Sequence, residues 1–204
     1  KNHMSADCRE VFDLAAVYFC PPNIKKSSRI YCKWFQNPRF SLTVCRIRCR
    51  MTRNKPVTLL AFRGFIYETD GGIMTIETKR LVLRPWRETD AESLYEYAKD
   101  PAVGPAAGWS VHTSVENSRE VIKNVLSDDE CYAVCLKGDD RPIGSIALMS
   151  TVRTEAVVGE NDFEVGYWVG VPFWGNGYIP EALQTLLRRA FTELGSDTVW
   201  CAYY

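Results

Sequence analysis

The residues best suited to chemistry lie between positions 163 and 183. A strand-like run, Phe163-Glu164-Val165-Gly166-Tyr167-Trp168-Val169, leads through Gly170-Val171-Pro172-Phe173 into Trp174-Gly175-Asn176-Gly177-Tyr178-Ile179. A helix follows, opened by Pro180 and Glu181. The first N–H groups of a helix have no partner inside it. The aligned peptide dipoles add partial positive charge at the same end. An anion such as a pyrophosphate suits that position. Gly175 and Gly177 let it approach the backbone closely, and Pro180 lacks only an N–H that the first helical turn leaves idle. Glycines ahead of a helix also serve as plain turns, and two familiar phosphate motifs are absent. No Gly-Lys-Ser/Thr closes a P-loop, and Pro180 stands where a dinucleotide fingerprint has its third glycine.

The elements that must hold this turn are legible on both sides of it. After it, Leu183, Leu186, Leu187, Ala190, Phe191 and Leu194 recur at helical spacing. Gly195 predicts a left-handed helix end, and Thr198–Tyr203 predicts one more strand. Before it, Cys131–Leu136 and 143–150 are strand-like runs around Lys137-Gly138-Asp139-Asp140-Arg141-Pro142, which predicts a hairpin. Leu81-Val82-Leu83 reads as a strand closed by Arg84-Pro85-Trp86. Thr89-Asp90-Ala91-Glu92 and Thr113-Ser114-Val115-Glu116 read as capping boxes. The first opens a helix with Leu94, Tyr97 and Ala98 on one face, stopped by Pro101. The second opens a helix with an apolar stripe of Val115, Ile122, Val125 and Leu126. A loop rich in Gly and Ala, 103–111, joins the two. The order β-α-α-β-β-β-α-β predicts an α/β fold with a mixed sheet.

The 204 residues carry 25 Lys and Arg and 25 Asp and Glu, yet the charge is unevenly placed. Residues 1–73 hold 13 basic and 5 acidic side chains, a net +8, and residues 74–204 hold 12 and 20, a net −8. Such a split predicts two segments, a basic leader over 1–73 and a patterned domain over 74–204. The leader shows little periodicity. Its apolar pieces, 11–20 and 57–66, are not framed by caps or turns, and Pro21-Pro22 and Asn37-Pro38 interrupt it. Arg46, Arg48, Arg50, Arg53 and Lys55 form a basic stretch, but no named nucleic-acid motif accompanies them, so nucleic acid is disfavoured as a partner. Gly71-Gly72 precede Ile73 and Met74, and glycine codons can spell a purine-rich ribosome-binding sequence. The expectation is that 1–73 is translated upstream sequence and that Met74 is the native start.

No apolar run reaches the roughly 18 residues of a membrane span, and no signal peptide is evident. A cytoplasmic protein is expected. The 8 cysteines are too sparse for a disulfide scaffold of a small secreted domain. Cys45 and Cys49 are the closest approach to a zinc pair, but with only His3 and His112 as histidines no metal site is assigned.

The run Glu164-Val165-Gly166-Tyr167-Trp168 followed by Trp174-Gly175-Asn176-Gly177-Tyr178 resembles the acetyl-CoA motif of the GNAT N-acetyltransferases. Three further stretches are similar to the ribosomal-protein-alanine N-acetyltransferase (Rim-type) branch: Thr78-Lys79-Arg80-Leu81-Val82-Leu83-Arg84-Pro85-Trp86, Asp100-Pro101-Ala102-Val103-Gly104 and Pro142-Ile143-Gly144-Ser145-Ile146. The resemblance covers about residues 75–204. It departs from the general Gln/Arg-x-x-Gly-x-Gly/Ala pattern at Trp174 and Ile179, the first and sixth positions. The family continues after the strand at 198–203 with a helix and two strands, which usually supply an Asn contact to the cofactor and a Ser or Tyr that protonates the departing thiolate. The resemblance therefore implies a GNAT acyl-CoA N-acyltransferase fold, a mixed sheet flanked by helices, missing its last helix and strands. That truncation would leave the edge of the 198–203 strand open.

The resemblance also implies chemistry, with acetyl-CoA as co-substrate. Acetyl would pass directly from its thioester to a primary amine, of a protein N-terminus or a small molecule. Tyr167, Trp168 and Val169 would hold the pantetheine arm through backbone groups, and one N–H there would polarise the thioester carbonyl. The turn Trp174, Gly175, Asn176, Gly177, Tyr178 and Ile179 would hold the pyrophosphate. Glu164 is the candidate general base, with a strand-edge ion pair as its plainer role. Glu181 is read as complementing the helix dipole. Arg84, Trp86, Trp109 and His112 are the candidate acceptor-binding residues: Arg84 for an acceptor carboxylate or an ion pair, the tryptophans as an apolar wall or core, and His112 as a pocket-lining or basic group. A homodimer is allowed. The competing reading is a truncated, catalytically weak acetyl-CoA-binding module.

Overall fold

The computed structural model describes residues 30–36, 43–49, 67–70, 73–150 and 161–203. The described residues form a nine-stranded sheet: β1 Ile30–Gln36, β2 Thr43–Cys49, β3 Tyr67–Asp70, β4 Ile73–Glu77, β5 Leu81–Pro85, β6 Cys131–Leu136, β7 Pro142–Met149, β8 Asp162–Val169 and β9 Thr198–Tyr203. Among the described residues three α-helices interrupt it: α1 Ala91–Ala98, α2 Val115–Asn124 and α3 Tyr178–Thr192. The strand order is β1-β2-β9-β8-β7-β6-β5-β4-β3. All neighbours are antiparallel except β8 and β9, which are parallel and joined through α3. The fold is thus a mixed α/β sheet flanked by helices.

Alternation along the strands sorts side chains between two layers. On β6, Tyr132 and Val134 face one core with Leu81, Leu83, Ile146, Val165 and the buried stripe of α3 (Leu183, Leu186, Leu187, Ala190, Phe191). Each large buried aliphatic or aromatic side chain in such a stripe contributes roughly 2 kcal/mol. The intervening Cys131, Ala133 and Cys135 face the other core with Trp86, Leu94, Ala98 and Ile122 of the α1/α2 side. Cys131 and Cys135 are buried free thiols, and that burial pushes both up to about 11.

The helix ends refine the sequence reading. α3 stops as expected, with Gly195 at φ 68° and Ser196 N–H donating to the Ala190 carbonyl at 2.8 Å. The second capping box is displaced by one residue: the Ser114 hydroxyl, not that of Thr113, accepts the Asn117 N–H at 3.0 Å. The first box is not formed. Asp90, rather than Thr89 or Glu92, accepts the Arg87 N–H at 2.8 Å, because its carboxylate is also held by a buried arginine. Val125 is 51% exposed and leaves the stripe it was assigned to.

Ahead of Met74 the sequence offered no periodic pattern, yet β1, β2 and β3 are strands. Met74 itself lies inside β4, opposite Thr69 of β3. The expectation of an open edge at β9 is corrected: β2 runs antiparallel along it, from Thr43↔Tyr203 to Arg48↔Thr198. Strand pairing of this kind needs no amphipathic signature when both partners find each other through backbone groups. The apolar pieces 11–20 and 57–66, together with Arg50, Arg53 and Lys55, lie outside the described residues.

Candidate active site

β8 and β9 run side by side for three residue pairs, Asp162↔Thr198, Phe163↔Val199 and Glu164↔Trp200. Both strands continue, and no further pair joins them among the described residues. β8 stays on β7 throughout, from Met149↔Glu164 to Gly144↔Val169. The Gly170 N–H donates to the Ile143 carbonyl at 2.9 Å, which sets the phase of that ladder. Backbone groups of 164, 166, 168 and 170 therefore point to β7, while those of 165, 167 and 169 point into the gap beside β9. The result is a V-shaped cleft with its vertex at Glu164, walled on one side by backbone.

The glycine turn closes the wide end. Trp174 Nε1 donates to the Val169 carbonyl at 2.9 Å and ties the turn to the end of β8. Asn176 Nδ2 donates to the Trp174 carbonyl at 3.1 Å. Gly175 and Gly177 have φ of 73° and 70°, and Gly177 is the N-cap of α3. A Cβ on Gly175 would meet nothing within 4 Å, so left-handed backbone rather than crowding selects glycine there. That same open space is what close approach of a ligand to the backbone requires. Of the turn's other residues, Ile179 buries its side chain in the core, and Tyr178 is half-buried.

Glu181 does more than complement a helix dipole. Its Oε1 accepts the Thr78 hydroxyl at 2.5 Å and the Arg80 backbone N–H at 2.7 Å, and its Oε2 accepts Arg80 Nε at 2.7 Å. Burial works to raise its carboxyl, but the bonds from Thr78 and Arg80 outweigh it and hold the group below its ordinary value. Sequence reasoning missed Thr78 and Arg80 as partners of this turn. They stand about a hundred positions before Glu181, and no local spacing links them.

Glu164 is buried, 8% exposed, and sits at the vertex. It shares a strand face with Trp168, the face away from α3, whereas Phe163, Val165, Tyr167 and Val169 belong to the α3 side. Trp168 thus differs from its neighbours: its backbone is turned to β7 and its side chain joins an aromatic chain. Its ring stacks on Trp86 at 6.4 Å and meets Trp109 edge-on at 6.0 Å, and Trp109 lies 5.2 Å from His112. Gly104 permits this, since a Cβ there would lie 2.8 Å from the Trp109 ring. Trp86 is largely buried and donates from Nε1 to Ser145 Oγ at 3.2 Å. His112 is buried, its Nδ1 2.8 Å from Ser118 Oγ, and burial lowers its affinity for a proton.

Arg84 is the exception among the candidate acceptor residues. It is 2% exposed and every N–H donor is committed. Nε donates to Asp140 Oδ1 at 2.6 Å, Nη1 to Pro85 O at 3.0 Å and Asp90 Oδ2 at 2.8 Å, and Nη2 to Asp90 Oδ1 at 2.9 Å and Asp140 O at 2.6 Å. A guanidinium has five such donors, so none is left for an acceptor carboxylate. Arg84 instead pins the β6–β7 loop to the start of α1.

Comparison with known proteins accords with this architecture. The family described as "Acetyltransferase (GNAT) domain" matches residues 80–204. The "Uncharacterized N-acetyltransferase YnaD" of Bacillus subtilis is 34% identical over 122 residues, which span 59% of this chain and 68% of that protein. The "Uncharacterized N-acetyltransferase p20" of Bacillus licheniformis is 30% identical over 131 residues, spanning 61% and 70%. A solved GNAT-family acetyltransferase from Bacillus anthracis aligns with a TM-score of 0.51 and 26% identity, covering 60% of this chain and 69% of that one. Among the described residues, no helix is long and apolar enough to cross a membrane.

Proposed function

Since the chain belongs to the GNAT acetyltransferase domain family and is an acetyltransferase of that type, we propose that its donor is acetyl-CoA and its acceptor a primary amine. The amine belongs to a protein N-terminus, as in the ribosomal-protein-alanine branch, or to a small molecule, and the setting is cytoplasmic. The observation that carries this reading is the parting of β8 from β9 beside a left-handed turn at the N-terminus of α3. A cleft edged by backbone suits an amide-bearing arm such as pantetheine. The turn and the helix end suit its pyrophosphate.

In this reading the 165–169 edge of β8 aligns the arm, and one N–H of that edge supports the thioester oxygen as negative charge grows on it. Glu164 takes the proton that the amine nitrogen loses, directly or through a bridging water. The new C–N bond forms as the C–S bond breaks, and the sulfur leaves with the bonding electron pair. Trp168, Trp109 and Trp86 form the apolar side of the acceptor region.

The test is thiol release. Purified protein is mixed with acetyl-CoA and either an α-amino peptide library or a set of small amines, and free CoA thiol is followed by absorbance. Amine-dependent thiol release, with the acetylated amine found by mass spectrometry, is the expected result. Saturable CoA binding without amine-dependent release would favour the binding-module reading, and no CoA binding would remove the donor assignment.

A further inference from the structure

We propose that Arg80 is the positioning residue of the donor-binding turn and that it acts on the phosphate end of the donor, not on the thioester end. The inference rests on the donor assignment above. Arg80 precedes β5 and reaches across to the turn. Its Nη1 donates to the Asn176 carbonyl at 2.9 Å and its Nη2 to the Gly177 carbonyl at 3.1 Å. Its Nε and backbone N–H are both braced on Glu181, and its guanidinium lies 4.7 Å from the centre of the Tyr178 ring.

The geometry of the peptide unit turns these contacts into a function. A trans peptide is planar, so its C=O and N–H point in opposite directions. The Asn176 carbonyl shares a plane with the Gly177 N–H, and the Gly177 carbonyl shares one with the Tyr178 N–H. Holding both carbonyls from one side fixes both N–H groups toward the other side. Such a clamp is needed because glycine backbone is soft: Gly175 and Gly177 both sit in a region from which they can easily swing away. The fork of the guanidinium spans two carbonyls and a carboxylate at once, which a lysine ammonium on a single point cannot do. Glu181 balances the charge of Arg80 locally. Its work is therefore alignment of the turn rather than direct neutralisation of phosphate.

The experiment compares two donors, acetyl-CoA and S-acetylpantetheine, which lacks the pyrophosphate and nucleoside. Arg80→Ala removes the three side-chain bonds that hold the turn and, through misalignment of its N–H groups, is expected to raise KM for acetyl-CoA about tenfold with kcat unchanged within about twofold. Calorimetry should show CoA binding weakened by a similar factor. The kcat/KM for S-acetylpantetheine should stay within about twofold of wild type. Arg80→Lys should recover only part of the loss, and it serves as the second variant if Arg80→Ala does not fold. Equal losses with both donors would mean a general structural role and overturn the proposal, as would unaltered CoA affinity in either variant. A wild-type protein that binds no CoA would overturn the donor assignment itself, an outcome distinct from these.

Discussion

Glu164 and Trp200 are the last residues at which β8 and β9 lie side by side. This one pairing places a buried carboxylate at the vertex of the cleft, on the sheet face that also carries Trp168. Its neighbour Val165 turns to the α3 core instead. A single-residue change of register would exchange the two.

Replacing Glu164 by Gln keeps the shape and removes the proton acceptor. The expected result is a fall in kcat on the order of 10² or more, with CoA affinity unchanged within about twofold. Steady-state kinetics over pH 6 to 9 and calorimetric CoA binding check it. Undiminished kcat would return Glu164 to the role of a structural carboxylate.

Gly177→Ala forces a side chain into a left-handed residue at a cost of roughly 1–2 kcal/mol, although the added Cβ would be no closer than 3.7 Å to Arg80. KM for acetyl-CoA should rise severalfold. Gly138→Ala is the matched control, since Gly138 also has positive φ (88°) but lies in the β6–β7 loop. It should lower the melting temperature while leaving KM alone. If both variants shift KM equally, backbone strain as such, and not the turn, controls donor binding.

Asp90→Asn leaves Arg84 buried without its bidentate partner. Breaking a buried pair from one side typically costs about 3–5 kcal/mol. Urea denaturation should show that loss. The double variant Arg84→Met/Asp90→Leu, which removes both charges, should regain much of it. A single variant as stable as wild type would mean that solvent or Asp140 compensates for the missing carboxylate.

His112 is buried next to Ser118, and its proton affinity in the folded chain is below the ordinary 6.5. Below that ordinary value the unfolded chain binds the proton first. The stability tied to the neutral ring is thus fully present above about pH 6.5 and is lost as pH falls through the lower folded value. Asp140 and Glu181, also shifted down from 3.8 and 4.5, lose their contributions only at lower pH. Urea midpoints at pH 7.5 and 5.5 should therefore drop in wild type and drop less in His112→Gln. Identical drops would assign the effect to other groups.

The periodic elements after Met74 were legible from the order of residues alone. α3 could be read from Leu183, Leu186, Leu187, Ala190 and Phe191, its end from Gly195, and the β6–β7 hairpin from the turn between Leu136 and Ile143. These are local signals, carried by residues within one or two helical turns or strands of each other. Gly175 and Gly177 were legible as turn glycines that let a ligand approach the backbone, and their left-handed conformation is a finding of the structure. The remaining features arise from contacts between residues far apart in the chain. Strands β1 to β4 are paired by backbone groups that every residue possesses, so their sequences carry no distinct mark. Arg80 meets Glu181 across 101 positions, and Arg84 spends all five donors on groups up to 56 positions away. Such partnerships depend on which strands lie side by side. So does the cleft itself, which exists because two parallel strands part after three pairs. Hydrophobic spacing reports which face of an element is buried. It does not report which distant side chain has already claimed a charge, or where two strands cease to touch.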